Sequence, residues 1–169
     1  ARNFFSRGQQ AAPVPEFTGQ LPEQPLVSLI IPVYQHAEYL HQCIVSALEQ
    51  RYAHVEVVVV DDASPDPAVQ QVLQGLAPHP RLTLLKNEVN LGIARTQNRA
   101  LQVSRGSVIG FLDCDDFLTP DAVETCLRFW TGETVYSHSA RVNIDAQGHE
   151  VSRICFQHLP RQDYFEENL

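Results

Sequence analysis

Short apolar runs alternate with amphipathic stretches along most of this chain, from residue 26 to residue 130. The runs are rich in β-branched residues and lack a polar face, which is typical of strands buried on both sides of a parallel sheet. They predict four strands, at 26–31, 55–60, 82–85 and 108–112. Pro32 follows the first run directly and predicts its end.

Between these runs, apolar residues recur every three or four positions, as the buried face of a helix requires. The pattern predicts helices at 36–50, 68–76, 93–103 and 122–130. The last is preceded by Thr119, Pro120 and Asp121, which predict a helix start with a threonine cap and a proline in the first turn. Regular alternation of strand and helix predicts an α/β fold of Rossmann type, a mostly parallel sheet flanked by helices on both faces.

The two ends of the chain do not follow this alternation of apolar runs and amphipathic stretches. Residues 1–25 contain four prolines and no sustained apolar period, so they are expected to form a linker or extended arm before a folded domain at 26–169. Strand-like stretches at 134–139 and 151–156 enclose a turn sequence at 145–148. A small antiparallel hairpin near the C-terminus is therefore predicted.

Composition excludes several classes of function. The formal net charge of −8 argues against binding to nucleic acid, whose partners concentrate Lys and Arg. No apolar run approaches the roughly 20 residues that cross a bilayer. The four cysteines are widely spaced without a C-x-x-C pair, which indicates free thiols. The chain has no methionine, so we expect a piece of a longer polypeptide.

Acidic residues follow two of the predicted strands directly. Asp61 and Asp62 end the second, and Asp113, Asp115 and Asp116 follow the fourth. Ligands of open parallel sheets bind at these carboxyl ends, and alternate carboxylates on an extended segment can share one hard cation with diphosphate oxygens. Aspartates also begin ordinary turns, but three acids in four residues favour a metal site.

No glycine-rich phosphate motif follows any strand. A nucleotide would therefore need a metal to neutralise its phosphates, and Tyr34, after the first strand, could stack on a base or flank it.

Four segments together resemble family 2 glycosyltransferases of the GT-A fold. They are residues 27–34, the stretch VEVVVVDDASPD at 55–66, the Asn90-Leu91-Gly92 turn with Asn98, and Gly106 through FLDCDD. The resemblance is specific from residue 26 to residue 130 and faint beyond. Many relatives have Arg and Gly where this chain has Gln97 and Ala100, and a small residue such as Ser or Ala at Cys114.

The resemblance implies roles for the residues that match it. Those that would line the nucleotide pocket or contact the base or ribose are Pro32, Val33, Tyr34, Asp61 and Asp62. Those that would shape the loop and helix beside the donor are Asn90, Gly92 and Asn98, with Arg95 reaching the diphosphate. Those that resemble the D-x-D element, with Mn²⁺ or Mg²⁺ as cofactor, are Asp113, Asp115 and Asp116. Asp115 would bind the ribose or the metal, and which carboxylate does which is left open.

The implied reaction is metal-assisted, inverting transfer of a sugar from a nucleotide-diphosphate sugar to an acceptor, which is a glycan, a lipid or a protein-linked sugar. A UDP-sugar is the favoured donor. The general base is expected beyond Leu169 in a region this piece lacks, and the setting is polysaccharide synthesis in the cytoplasm, peripheral to the inner face of the membrane. The alternatives are a Mg²⁺-dependent, receiver-like phosphoacceptor domain and a catalytically silent nucleotide-sugar-binding module.

Overall fold

The computed structural model describes residues 21–130, 137, 139–145 and 147–154. The four strands of the main sheet are β1 (Val27–Val33), β2 (Val55–Asp61), β3 (Leu82–Lys86) and β4 (Val108–Phe111). The helices are α1 (Ala37–Leu48), α2 (Pro67–Leu76), α3 (Ile93–Val103) and α4 (Ala122–Arg128). A separate hairpin contains β5 (Arg141–Ile144) and β6 (Glu150–Ile154). The predicted alternation of strand and helix is confirmed.

The main sheet is parallel and has the strand order β3-β2-β1-β4. β2 lies beside β1 and β3 lies beside β2, whereas β4 lies on the other side of β1. The strand order therefore reverses between β1 and β4, which is the position where open α/β sheets bind ligands. Both acidic strand ends, after β2 and after β4, flank the end of β1.

Helices cover both faces of the sheet. α1 packs on one face with side chains of α2 and α4, and the shared core includes Leu40, Ile44 and Val123. α3 covers the other face, where its Ala100 packs against Ile30 and Val58. Burial of each large apolar side chain stabilises the fold by about 1.5–3 kcal/mol, so the two cores fix the sheet between its helices.

The sequence predicts that β1 ends before Pro32, but in the structure β1 includes Pro32. The carbonyl of Ile30 accepts a 3.0 Å hydrogen bond from Leu112 N–H on the β4 side, and the carbonyl of Val33 accepts one of 2.8 Å from Asp62 N–H on the β2 side. This alternation directs the nitrogen of Pro32 toward β4. Pro32 has no N–H to donate, and the β1–β4 pairing ends at Ile30–Phe111. The proline thus marks where β4 departs from β1.

Two further predictions are wrong in detail. α4 begins after Asp121 without a side-chain cap, and Thr119 accepts from Ala122 N–H through its carbonyl, so Thr119 and Pro120 precede the helix. In the antiparallel hairpin the first strand is β5, because Arg141–Ile144 is the stretch that pairs with β6. Ser137 and Ser139 lie outside any strand, and residues 134–136 and 138 are outside the described part of the chain.

The predicted turn at 145–148 is confirmed by hydrogen bonds between Asp145 and Gly148 and between Asp145 and His149. Of the predicted free thiols, Cys43, Cys114 and Cys126 are free, and Cys155 lies outside the described residues. So do residues 1–20 of the predicted arm. No helix in the described ranges has both the length and the apolar character that a membrane crossing requires.

Candidate functional site

The loop after β1 lies at the centre of the candidate site. Its backbone is unusual, because Gln35 and His36 both adopt left-handed conformations, with φ of 68° and 58°. Such conformations are unfavourable for residues other than glycine and concentrate at functional sites. Tyr34, which precedes them, is exposed. Pro32 and Val33 are buried in β1, so of the three predicted pocket residues only the Tyr34 side chain lies at the surface.

This loop lies against both acidic segments. Gln35 N–H donates to the Ser64 hydroxyl over 3.1 Å, which links the loop to the segment after β2. The backbone N–H of Tyr34 lies beside the thiol of Cys114 and acts to lower its pKa, which brings the loop next to the segment after β4. The three loops thus meet at two adjacent peptide groups, and the candidate site is one structural unit.

Asp61 is fully buried at the end of β2, and its carboxylate is used within the protein. One oxygen accepts from Ser64 N–H at 2.9 Å. The other accepts from the Gln70 side chain at 2.5 Å and lies 3.3 Å from the ammonium of Lys86. Asp61 therefore fixes the turn after β2, and its contact with a base or ribose stays a prediction.

Asp62 is also buried, with 3% of its surface exposed. Its two oxygens accept from the backbone N–H groups of Leu91 and Gly92, at 2.8 and 2.9 Å, and from the Asn87 side chain at 2.6 Å. Burial alone would raise the pKa of Asp62, but these hydrogen bonds and one from Thr96 outweigh it and hold the pKa below its ordinary value. Asp62 thus remains ionised and anchors the loop before α3.

That loop, residues 90–92, leads into α3 with Gly92 at a φ of 80°, which favours glycine. Asn90 is exposed and its side-chain oxygen accepts from Gly92 N–H at 3.1 Å. Arg95 and Asn98 are exposed on α3, and neither makes a hydrogen bond or ion pair with another described residue. The Arg95 guanidinium is therefore available to an anion.

The acidic turn, residues 113–116, follows β4. The sequence predicts an extended segment here, but the N–H of Asp116 donates to the carbonyl of Asp113 over 3.1 Å and closes a turn. Burial still alternates at its start, because Leu112 and Cys114 are buried in the core whereas Asp113 and Asp115 are exposed. Asp116 is exposed as well, so all three carboxylates that resemble the D-x-D element lie at the surface.

Cys114 packs in the core as a small apolar side chain, as the sequence predicts, and lies beneath the acidic turn beside α1. The thiol of Cys43, in α1, donates to the carbonyl of Asp113 over 3.4 Å. Burial and the neighbouring acidic groups raise the pKa of Cys43, and burial raises that of Cys114. Both thiols are therefore protonated at neutral pH and hold the turn in place rather than binding a metal as thiolates.

The chemistry of the acidic turn fits a divalent cation. Partial burial and the charges of Asp115 and Asp113 raise the pKa of Asp116, so the turn concentrates negative charge that a cation would relieve. Within the described ranges, no three His, Cys, Asp or Glu side chains are grouped closely enough to hold a metal by themselves. Mg²⁺ commonly binds through one or two carboxylates completed by phosphate oxygens of a ligand, and this arrangement suits that mode.

Sequence reasoning finds the acidic ends but misses the residues that organise them, which are Ser64, Asn87, Thr96 and Arg99. Asn87 directly follows β3, so a polar residue at the end of a third neighbouring strand was the available signal. Thr96 has no such signal, since a hydroxyl within a helix is ordinary.

The model of the protein family described as glycosyl transferase family 2 matches residues 28–168. The chain belongs to this family. The match covers both acidic strand ends and decides against the receiver-like alternative for the acidic residues. Among curated glycosyltransferase relatives, the chain is 38% identical to a chondroitin synthase of Escherichia coli over 76% of its own length. It is 39% identical to a hyaluronan synthase of Pasteurella multocida over 72%. The matches span 19% and 13% of those two longer proteins.

Solved glycosyltransferases of the GT-A fold resemble this chain in structure. A mannosyltransferase from Pyrobaculum calidifontis in complex with GDP-Man and Mn²⁺ superimposes with a TM-score of 0.56 at 30% identity, over 63% of this chain and 32% of the other. Staphylococcus aureus TarS in complex with UDP-GlcNAc gives 0.56 at 28% identity, over 61% and 30%. These neighbours are GT-A glycosyltransferases, so the fold class predicted from the sequence is confirmed.

Proposed function

We propose that this chain is the donor-binding part of a metal-dependent, inverting glycosyltransferase that takes a nucleotide-diphosphate sugar. The observation that carries the proposal is the junction at Tyr34 and Gln35, which joins the acidic turn to the segment after β2 at the strand-order reversal. Family membership supports transfer of a sugar as the reaction. A donor with two phosphates suits a site with an acidic turn and the exposed Arg95.

Each side of the site has a chemical task in this proposal. Asp113 and Asp115, with Asp116 beside them, hold Mn²⁺ or Mg²⁺, which when bound neutralises the charge that develops on the leaving diphosphate. The exposed Tyr34 ring packs against the base, and the guanidinium of Arg95 pairs with phosphate oxygens. Asn90 and Asn98 form the rim of the same face.

The donor nucleotide is uridine diphosphate in this proposal, because a neighbour binds UDP-GlcNAc and the synthase relatives are polysaccharide enzymes. Guanosine diphosphate is the competing choice, because another neighbour binds GDP-Man. The acceptor is a growing glycan or a lipid-linked sugar on the cytoplasmic side of the membrane. No described acid is assigned as the base that removes the acceptor proton.

Calorimetric titration with UDP and GDP, each with Mn²⁺ and with EDTA, tests the proposal. We expect one of the two to bind in Mn²⁺ and to bind at least about tenfold more weakly in EDTA. Asp115→Asn removes a metal-ligand charge, so it should weaken binding in Mn²⁺ strongly and leave the weak binding in EDTA unchanged. Equal loss in both conditions would contradict the metal role.

Asp121→Asn is the matched control. Asp121 is an exposed aspartate five residues beyond Asp116, and its side chain does not cap α4. The variant changes the net charge by the same amount outside the acidic turn, so nucleotide binding should stay at the wild-type level. If neither nucleotide binds the wild-type chain with Mn²⁺, the donor-site proposal is wrong.

A further inference from the structure

A buried polar cluster lies behind the loop at residues 90–92, between β2, β3 and α3. Its members are Asp62, Asn87 and Thr96, which are 3%, 1% and 0% exposed, and the partly exposed Arg99. Polar side chains at such burial are unfavourable unless each finds hydrogen-bond partners. Their partners therefore indicate what the cluster is built to hold.

Every polar atom of the Asn87 side chain is used. Its amide nitrogen donates to Asp62 over 2.6 Å and to the Thr96 hydroxyl over 3.1 Å. Its oxygen accepts from the guanidinium of Arg99, which also donates to the carbonyl of Lys86 over 2.8 Å. The Thr96 hydroxyl also acts to lower the pKa of Asp62, so it lies close to that carboxylate. Asn87 joins Thr96, Arg99 and Asp62, and the cluster orients the carboxylate from behind.

The front of the Asp62 carboxylate faces the loop. It accepts from Leu91 N–H and Gly92 N–H, the two peptide groups directly before α3. Together with Asn87, these partners hold the carboxylate in one orientation at this depth. The cluster therefore fixes the position of Asp62, and Asp62 fixes the position of the loop that contains Asn90 and precedes Arg95.

We infer that Thr96 and Asn87 are positioning residues for donor binding. They act through Asp62 to fix the peptide groups of Leu91 and Gly92. These peptide groups in turn set how Arg95 approaches the diphosphate. The inference rests on the proposed function, because the ligand it serves is the nucleoside diphosphate. It also adds to the predicted role of Asp62, which links the core to the donor loop besides its predicted contact with the base or ribose.

Thr96 offers a matched pair of substitutions. Thr96→Val keeps the shape of the side chain but removes the hydroxyl, whereas Thr96→Ser keeps the hydroxyl. Loss of one hydrogen bond in a buried network releases the others, so Thr96→Val should weaken binding of UDP or GDP in Mn²⁺ by about tenfold or more. Thr96→Ser should stay within about threefold of the wild type.

Amide hydrogen exchange in the nucleotide-free chain gives a second readout. The Leu91 and Gly92 amides should exchange faster in Thr96→Val than in the wild type and at near wild-type rates in Thr96→Ser. Arg99→Met, at a partly exposed position, withdraws the donor to the Asn87 oxygen and should have the same effect in milder form. This variant serves if Thr96→Val does not fold.

Ser28→Ala controls for general loss of stability. Ser28 belongs to a buried polar cluster at the opposite ends of the strands, where its hydroxyl donates to Glu56 over 2.6 Å. Val33 lies five positions further along β1, roughly 16 Å away along the strand. Ser28→Ala should lower the midpoint of urea unfolding but leave both the nucleotide affinity and the exchange at Leu91 and Gly92 unchanged.

The outcomes are distinguishable. Wild-type binding that Thr96→Val and Arg99→Met leave unchanged overturns the inference and leaves the proposed function standing. Weakening by Ser28→Ala to the same degree as by Thr96→Val also overturns it, since the effect would then follow stability alone. A wild-type chain that binds neither nucleotide overturns the proposed function and with it the donor role of the cluster.

Discussion

The Ser28 hydroxyl donates a 2.6 Å hydrogen bond to the Glu56 carboxylate, joining β1 to β2 at the amino-terminal ends of the strands. Arg105 completes the arrangement, because its backbone N–H donates to the same carboxylate at 2.6 Å and its guanidinium lies 2.7 Å away. Gly106 N–H donates to the Ser28 oxygen over 2.8 Å. This cluster ties the connection before β4 to the sheet, at the edge opposite the candidate site.

Glu56→Gln should therefore lower stability in a pH-dependent way. Burial raises the pKa of Glu56, but the hydrogen bonds from Ser28 and Arg105 outweigh it and lower the pKa from its ordinary value near 4.5. A lowered pKa in the folded state means that the stabilisation is present above pH 4.5 and is lost as the pH falls through the folded-state value. We expect a cost of about 2 kcal/mol at pH 7.

Urea unfolding of the wild type and Glu56→Gln at pH 7 and at successively lower pH measures this. The difference in free energy of unfolding should shrink below the ordinary pKa of a glutamate. A difference that stays constant on acidification would show that the cluster stabilises the fold without its charge.

Gly106→Ala should destabilise the chain strongly. A Cβ added at Gly106 would lie 2.5 Å from the Ser28 hydroxyl oxygen, 2.6 Å from Ser28 N and 2.7 Å from the carbonyl of Leu26. Two of these atoms belong to the backbone of β1 and its approach, so relief requires movement of the strand. We expect a loss of at least about 2 kcal/mol in thermal or urea unfolding. Wild-type stability would contradict the close approach.

Ala63→Gly should have the opposite effect. Ala63 lies between the two buried aspartates and Ser64 with a φ of 59°, a conformation that costs a residue with a Cβ roughly 1–2 kcal/mol. Part of the gain is offset because glycine is more flexible in the unfolded chain, so a net increase of about 0.5–1 kcal/mol in the free energy of unfolding is expected. Equal or lower stability would argue against strain at this position.

Gly75→Ala should also stabilise, for the reverse reason. Gly75 lies within α2 and an added Cβ would meet no atom within 4 Å. Alanine reduces the freedom of the unfolded chain and is the better helix former, so a gain of about 0.5–1 kcal/mol is expected in urea unfolding. The change lies away from the donor loop and should leave nucleotide affinity unaltered.

Ser64→Ala tests the link between the loops after β1 and β2. The substitution leaves Gln35 N–H without its 3.1 Å partner and keeps the backbone N–H of residue 64 on Asp61. We expect a loss of about 1 kcal/mol in the free energy of unfolding and weaker binding of the preferred nucleotide by calorimetry. Unchanged affinity with lowered stability would mean that the link serves folding alone.

The sequence predicts the fold well because buried parallel strands and amphipathic helices each have a strong local period. α3 is predicted residue for residue at 93–103, and β2 and β3 differ by one residue at one end. Pro32 misleads because its effect depends on which neighbouring strand its nitrogen faces, which no local pattern records. The antiparallel hairpin and its second strand are predicted correctly, but its first strand is misplaced for a similar reason, since the pairing partner of β6 is set by contacts across the turn.

The candidate site is predicted only in part. Asp61, Asp62 and the acidic turn are visible as charges at strand ends, where a ligand or a buried network must compensate them. The sequence does not reveal that Asp62 faces Leu91 and Gly92, because that contact spans 29 residues and depends on how α3 settles on the sheet. The role of Thr96 cannot be predicted from the sequence for the same reason, although its hydroxyl accepts a hydrogen bond from the Asn87 side chain.

The central place of β1 in the strand order also sets the sequence of events during synthesis. β1 pairs with β2 after 28 further residues, as Val27 with Val55, but Val27 meets Val108 only after 81. A chain emerging from the ribosome can therefore assemble the half of the site around Asp62 before the acidic turn has emerged. Long-range pairing of this kind is slow, so we expect the pairing of β4 with β1 to be the slowest step in folding of the nascent chain.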